Sequence, residues 1–357
     1  MHPDKVDPAT LTPADAAPQR ARGPHPLPLF LALAAQQSRT DVARLSRILA
    51  GVRAYQAHGH ARTLAAMPEL ARVGGVRLRN YGGSGPPVVV VPSLINPPHV
   101  LDLAANNSLL RWLATQGVNP LLVDWGSPGP GEMPLDLSGY VTERLTTLIA
   151  SVSPRPALLG YCLGGTLAIA AAALVPVRRV AVIAAPWRFD GYGADARAAI
   201  AALWERSAPV AQALGSFPID LLQPAFWQLD PAGLVAKFER FPTLDPAAAA
   251  AFVALEDWAN TGPPLTLGVA TEMFERWFAD DCPGTGRWQV GGSVIDPARL
   301  NIPILDIVST SDRIVPAAAA CGAGTPLPLA MGHVGMVMGS RAREQLWEPL
   351  ATWLREG

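Results

Sequence analysis

Apolar and polar positions along this chain fall into two alternating periods. PPVVVVPSLI (86–95) is apolar almost throughout, the mark of a strand buried on both faces. NPLLVDWG (119–126), RPALLGYC (155–162), RRVAVIAAPW (178–187) and IPILDIVSTSD (302–312) read as further strands, and TPLPLAM (325–331) as the final one. VRLRNYG (76–82) alternates polar with apolar, as a strand with one wet face does. Between these runs, NSLLRWLATQG (107–117), SGYVTERLTTLIASV (138–152) and GGTLAIAAAALV (164–175) carry helical spacing, the first ending at Gly117. SRAREQLWEPLATWLRE (340–356) reads as a closing amphipathic helix. Strand–helix alternation around apolar central strands predicts an α/β fold with a mostly parallel, doubly wound sheet.

The alternation breaks twice. Residues 188–290 are rich in Ala, Pro and Trp and helical by pattern, which predicts a helical cap inserted into a sheet domain made of 76–187 and 291–357. Such an insertion is expected to lie over the C-terminal edge of the sheet, to bury Cys162 beneath it and to move for substrate entry. Of its tryptophans (Trp187, Trp204, Trp227, Trp258, Trp277 and Trp288), most are expected to pack the cap itself and a few to line a channel. At the other end, residues 1–25 have the composition of a disordered tail. Residues 26–75 form a helical N-terminal segment, with Val42, Leu45, Ile48, Leu49 and Val52 at helical spacing for packing on the core. PLFLALAA (28–35), behind Pro26, reads as the beginning of a helix rather than a secretion signal.

Composition narrows the function classes. Half of the 357 residues are hydrophobic, 16% are charged and the formal net charge is -1, so there is no electrostatic case for nucleic acid or anionic membrane. No apolar run approaches the roughly 20 residues that span a bilayer. The three cysteines, Cys162, Cys282 and Cys321, make neither a disulfide framework nor a C-x-x-C metal site, which points to a reducing cytoplasm and no metal.

The chemistry concentrates at Gly160-Tyr161-Cys162-Leu163-Gly164-Gly165, between an apolar strand and an Ala-rich helix. This is the G-x-S-x-G nucleophile elbow with Cys in place of Ser. Gly160, Gly164 and Gly165 are needed because the nucleophile sits in a strained turn where neighbouring side chains would collide. In that architecture the acid and the base follow the nucleophile in the chain. Asp312, just past IPILDIVST, is the candidate acid; Asp306, inside the same run, is the rival and reads as a buried strand residue. Of six histidines only His333, in Met331-Gly332-His333, follows the acid. The oxyanion hole is expected from the backbone N–H of Leu163 and a second N–H at Leu94 or Ile95. Cys282 and Cys321 lack such a setting.

VPSLINPPHVLDL (91–103), the DWG of 124–126, GYCLGG, SDRIVP, GHVGM, LEDWANTGPP (255–264) and GRWQVGGSVIDPARLNIPIL (286–305) together resemble the polyhydroxyalkanoate synthases over about residues 80–355. Length and the DWG segment are similar to the shorter, two-subunit class, the nucleophile box to the single-subunit class. The resemblance implies an α/β-hydrolase fold, a triad of Cys162, Asp312 and His333, and polymerisation of 3-hydroxyacyl-CoA through a cysteine thioester with release of CoA. It further implies no cofactor beyond the acyl-CoA, a growing polyester, a second synthase subunit or homodimer, and work in the cytoplasm at a granule surface. Arg313 stands where the family commonly has His, and the first 75 residues have no clear counterpart. A cysteine hydrolase or thioesterase, and a non-catalytic granule-associated paralogue, are the alternatives.

Overall fold

The computed structural model describes residues 22–356. Eight strands form one sheet: β1 (Glu69–Val73), β2 (Val76–Asn80), β3 (Pro87–Val91), β4 (Asn119–Asp124), β5 (Ala157–Tyr161), β6 (Val180–Ile183), β7 (Ile304–Ser309) and β8 (Thr325–Leu329). Their order is β1-β2-β4-β3-β5-β6-β7-β8. From β4 to β8 all neighbours pair parallel, while β1 and β2 run antiparallel at one edge. The strand order reverses between β3 and β5, and that reversal opens a crevice at the C-terminal ends of the strands.

Period-two alternation explains why the sheet is covered on both sides. Val89 and Val91 face one core layer, with Leu158, Val180 and Val182. Val88 and Val90 face the other, with Leu159, Ala181, Ile183 and Ile307. Helices α1 (Leu27–Ser38) and α2 (Val42–Ala57) precede the sheet, and α3 (Leu109–Thr115) follows β3. Next come α4 (137–150), which includes a π-helical stretch Tyr140–Leu145, and α5 (Leu163–Leu174). Tyr140, Leu145 and Leu148 of α4 and Leu167 and Ile169 of α5 fill the first layer. Leu110 and Leu113 of α3 fill the second.

Residues 188–290 leave the sheet as a largely helical insertion: α6 (Ala194–Leu214), α7 (Ile219–Gln228), α8 (Pro231–Arg240), α9 (Pro246–Ala259) and α10 (267–279). The chain then closes with α11 (His333–Met338) and α12 (343–355), whose Leu346, Leu350 and Leu354 join the second layer. One carboxylate ties the two ends of the insertion together. Asp281 accepts from Phe189 N–H at 2.8 Å and from Gly284 N–H at 3.1 Å. Around it Trp288 packs edge to face on Trp187 and Trp277, and Phe189 packs tilted on Trp277, with centroids 4.9–5.8 Å apart. These tryptophans build the neck of the cap.

Three N-terminal expectations change. Residues 1–21 lie outside the described residues, and the tail reading of 1–25 does not hold for its last members. Arg22 pairs with Asp257 at 2.8 Å, and His25 N–H donates to Asn260 Oδ1 at 2.9 Å. Helices α1 and α2 do pack, but on the cap rather than on the sheet. Phe30, Ile48, Val52 and Tyr55 form a separate core with Trp227, Val235, Phe238 and Phe241. The crossing is tight: a Cβ on Gly51 would lie 1.8 Å from the carbonyl oxygen of Phe238. Finally, residues 69–73 form a strand and not the end of a helix, because Gly74, at φ +60°, with Gly75 closes a tight hairpin onto β2.

The Gly51 contact gives a direct test of how the N-terminal helices hold the cap. Gly51→Ala gains about 1 kcal/mol of helix propensity. It must also push α2 away from the backbone of α8. The expected net result is a loss of about 1–3 kcal/mol in urea unfolding; an unchanged midpoint would show that α2 does not bear on the cap there.

Candidate active site

The site begins with a backbone that only a few residues tolerate. Cys162 joins β5 to α5 at φ 55°, ψ -131°. Its N–H donates to Ile183 O at 2.9 Å, which pins the turn to β6. The three neighbouring glycines are each fixed by a contact. A Cβ on Gly160 would meet Gly165 Cα at 2.3 Å, one on Gly164 would meet Val91 O at 2.1 Å, and one on Gly165 would meet Ala185 Cβ at 2.4 Å. The strand, the helix and β3 thus approach one another with no side chain between them, and the Cys162 side chain is carried out at the crest of the turn.

Two loops from the far side of the crevice bring the acid and the base. Asp312 follows β7 and His333 opens α11 after β8. The pair is buried, each residue 8% exposed. His333 Nδ1 lies 2.6 Å from Asp312 Oδ2, while Asp312 Oδ1 accepts from Ile314 N–H at 2.7 Å. The two loops are sutured upstream: Thr310 N–H donates to Leu329 O at 2.8 Å, and the Ser309 hydroxyl donates to Met331 O. Tyr161 lies behind the imidazole, with ring centroids 5.1 Å apart, and its hydroxyl donates to His333 O at 3.4 Å.

Burial by itself pushes His333 toward its neutral form. The negative charge of Cys162, the hydrogen bonds with Asp312 and Cys162 and the Asp312 charge oppose burial and win, lifting the imidazole to about 10. A charged imidazolium between a carboxylate and a sulfur is the form that can hand a proton to a leaving group.

Asp306 is differently placed. It is 2% exposed, and its Oδ2 accepts from Gly322 N–H at 2.9 Å and from Cys321 Sγ at 3.3 Å. Burial raises its carboxyl above the usual range, although the hydrogen bonds and Arg188 lower it in part. Burial likewise raises the Cys321 thiol to about 12. Cys282 is buried in the neck of the cap. Among the described residues no group of three or more His, Cys, Asp and Glu side chains is arranged to hold a metal.

The Leu163 amide is the first of α5 and has no partner within the helix. Of the two amides expected for a second donor, that of Ile95 is engaged by Ser93 Oγ at 3.2 Å, which leaves Leu94 as the candidate. A cavity of about 160 Å3 opens in front of Cys162. Ile95, Val100, Ile314 and Val334 line its sheet side, and Gln223, Phe226 and Trp258 its cap side. The cap therefore walls the site, and Cys162 is half-buried beneath it, more open than an insertion over the sheet edge led one to expect. Of the six cap tryptophans only Trp258 lines this cavity; Trp204 stacks on Phe274 and Trp227 packs on Phe30. Tyr161, Ser93 and Gln223 were not singled out from the sequence. Tyr161 lies inside the elbow motif and could have been noted; the other two carry no local signal, because the fold alone brings them to Cys162.

The model of the alpha/beta hydrolase family matches residues 88–348. A poly(3-hydroxyalkanoate) polymerase subunit PhaC of Haloferax mediterranei is 30% identical over 288 residues, covering 76% of this chain and 58% of that protein. The protein of the same name from Synechocystis is 27% identical over 293 residues, covering 76% of this chain and 78% of its own. Among solved structures, a monoacylglycerol lipase of Paleococcus ferrophilus superposes with a TM-score of 0.48 at 16% identity, over 78% of this chain and 98% of its own.

The charge balance at His333 is open to measurement. An NMR titration of its imidazole should give a midpoint near 10 in the unaltered protein. Cys162→Ala removes the largest raising influence and Asp312→Asn removes another, so each should lower the midpoint, whereas Asp306→Asn should leave it in place. A midpoint unmoved by Cys162→Ala would mean that sulfur and imidazole are not coupled.

Proposed function

We propose that this chain, which belongs to the α/β hydrolase family and is polyhydroxyalkanoate-synthase-like within it, is an acyltransferase that polymerises 3-hydroxyacyl-CoA through a thioester on Cys162. The observation that carries the reading is the pairing of a cysteine elbow with the buried Asp312–His333 couple in front of a small apolar cavity. A thiolate exchanges readily with a thioester.

In this scheme the Cys162 thiolate attacks the thioester carbonyl carbon. The oxyanion that forms is met by the Leu163 N–H and by a second amide, that of Leu94. The carbon–sulfur bond to CoA then breaks, and the His333 imidazolium gives its proton to the departing CoA thiolate. His333, now neutral, is a base. It takes the proton from the hydroxyl of the next hydroxyacyl-CoA as that oxygen attacks the acyl group on Cys162. An ester forms, the Cys162 thiolate is released, and the lengthened chain, still a CoA thioester, returns to Cys162 with loss of CoA. Each unit added releases one CoA. Asp312 orients His333 and stabilises its charged form. No cofactor beyond the acyl-CoA enters.

The relatives are named polymerase subunits, which supports reading this chain as one member of an assembly with a second synthase subunit or another copy of itself. Among the described residues no helix is long and apolar enough to cross a membrane. An insoluble polyester product accords with work at a granule surface in the cytoplasm.

Incubation with 3-hydroxybutyryl-CoA should release CoA and deposit insoluble polymer. Cys162→Ala should abolish both while leaving the circular dichroism and melting profile intact. CoA release accompanied only by free 3-hydroxybutyrate would convert the reading to a thioesterase, and undiminished turnover by Cys162→Ala would remove Cys162 from the mechanism.

A further inference from the structure

The cavity in front of Cys162 is mostly apolar, but the cap contributes one buried polar side chain to it. Gln223, on α7, is 7% exposed and lines the same cavity as Cys162 and His333. The orientation of its amide is fixed by acceptors on the neighbouring helix. Nε2 donates to Ala259 O at 2.9 Å and lies 3.5 Å from Asn260 Oδ1. Asn260 is itself fixed, because its Nδ2 donates to Glu256 O at 2.8 Å and its Oδ1 accepts from His25 N–H at 2.9 Å. A flipped Gln223 would set its oxygen against a carbonyl, so the N–H side stays on α9. The other end of the amide is Oε1, an acceptor for which the protein supplies no donor among the described residues and which is reached from the cavity. The other cavity amide, Asn96, is only half-buried and open to water.

We propose that Gln223 Oε1 accepts a hydrogen bond from the 3-hydroxyl of the acyl group on Cys162, and so makes this residue the selector for hydroxylated acyl chains. The inference rests on the acyl-transfer reading above. An acyl chain that covers this acceptor strips it of water, and only a ligand with a donor replaces the lost hydrogen bond. A site built to bond a substrate hydroxyl rejects the analogue without it more strongly than an apolar pocket rejects a missing methylene. Phe226 and Trp258 line the cavity beside Gln223 and give the acyl chain an apolar wall.

The test compares the first burst of CoA release, one per protein, from 3-hydroxybutyryl-CoA and from butyryl-CoA, which lacks the hydroxyl. The unaltered protein should favour the hydroxylated ester by about tenfold or more. Gln223→Met, near in volume, should bring the two rates within about twofold of each other, the hydroxyacyl reaction slowing relative to the butyryl reaction. Circular dichroism and the melting profile are the check that the variant is folded. Gln223→Asn keeps an amide but draws it back by one methylene, and should lose the preference too. A preference unchanged in both variants, or none in the unaltered protein, overturns the proposal while leaving acyl transfer standing. If neither ester acylates Cys162 in the unaltered protein, the acyl-transfer reading falls, and the selector role with it.

Discussion

Cys162 is held in a left-handed backbone conformation because β3, β5, β6 and α5 converge on it more closely than side chains would allow. Gly160 abuts Gly165, Gly164 abuts the carbonyls of Val91 and Pro92, and Gly165 abuts Ala185. Everything else in the site is placed relative to that turn. The sheet reverses its strand order beside it, so the loops after β7 and β8 reach the same crevice from the other side and deliver Asp312 and His333. The segment after β3 is pressed against Gly164 through the carbonyls of Val91 and Pro92. A bulky residue at any of the three glycines would displace several of these parts together.

The second layer of organisation is electrostatic, and burial gives it force. Asp312 and His333 are almost wholly withdrawn from water, so screening between them is weak. Burial alone would discharge the imidazole; the charge on Cys162 and the carboxylate of Asp312 reverse that outcome. The cap contributes by keeping one wall of the crevice apolar. The N-terminal helices contribute at one remove, since α1 and α2 pack against α7, α8 and α9 and Arg22 anchors to Asp257 on α9. The position of Gln223, on the underside of the cap, thus depends on residues far away in sequence.

The sheet was legible because its strands are short, fully apolar or strictly alternating, and bounded by Gly and Pro. The elbow was legible because its glycines answer to a steric demand that can be stated without a structure. Asp312 and His333 could be chosen by chain order and strand position, and the structure sets them 2.6 Å apart. Other features had no local signature. The helical spacing of Ile48 and Val52 says that a face is buried but not what covers it, and the cap took the place expected of the sheet. Leu70 and Val73 could equally continue a helix; only the hairpin through Gly74 and Gly75 decides for a strand. Gln223 looks like any polar residue on a helix, and its place in the cavity depends on how the whole cap sits. The half-burial of Cys162 likewise follows from that seating.

The central claim is that the growing acyl chain is carried on Cys162. The most direct measurement is peptide mapping by mass spectrometry after a rapid acid quench of the protein with saturating 3-hydroxybutyryl-CoA. The account predicts adducts on the Cys162 peptide, their masses stepping by whole hydroxybutyryl units, with Cys282 and Cys321 unmodified. Release of CoA with no adduct on Cys162 at any quench time, or with adducts on another residue, would contradict it.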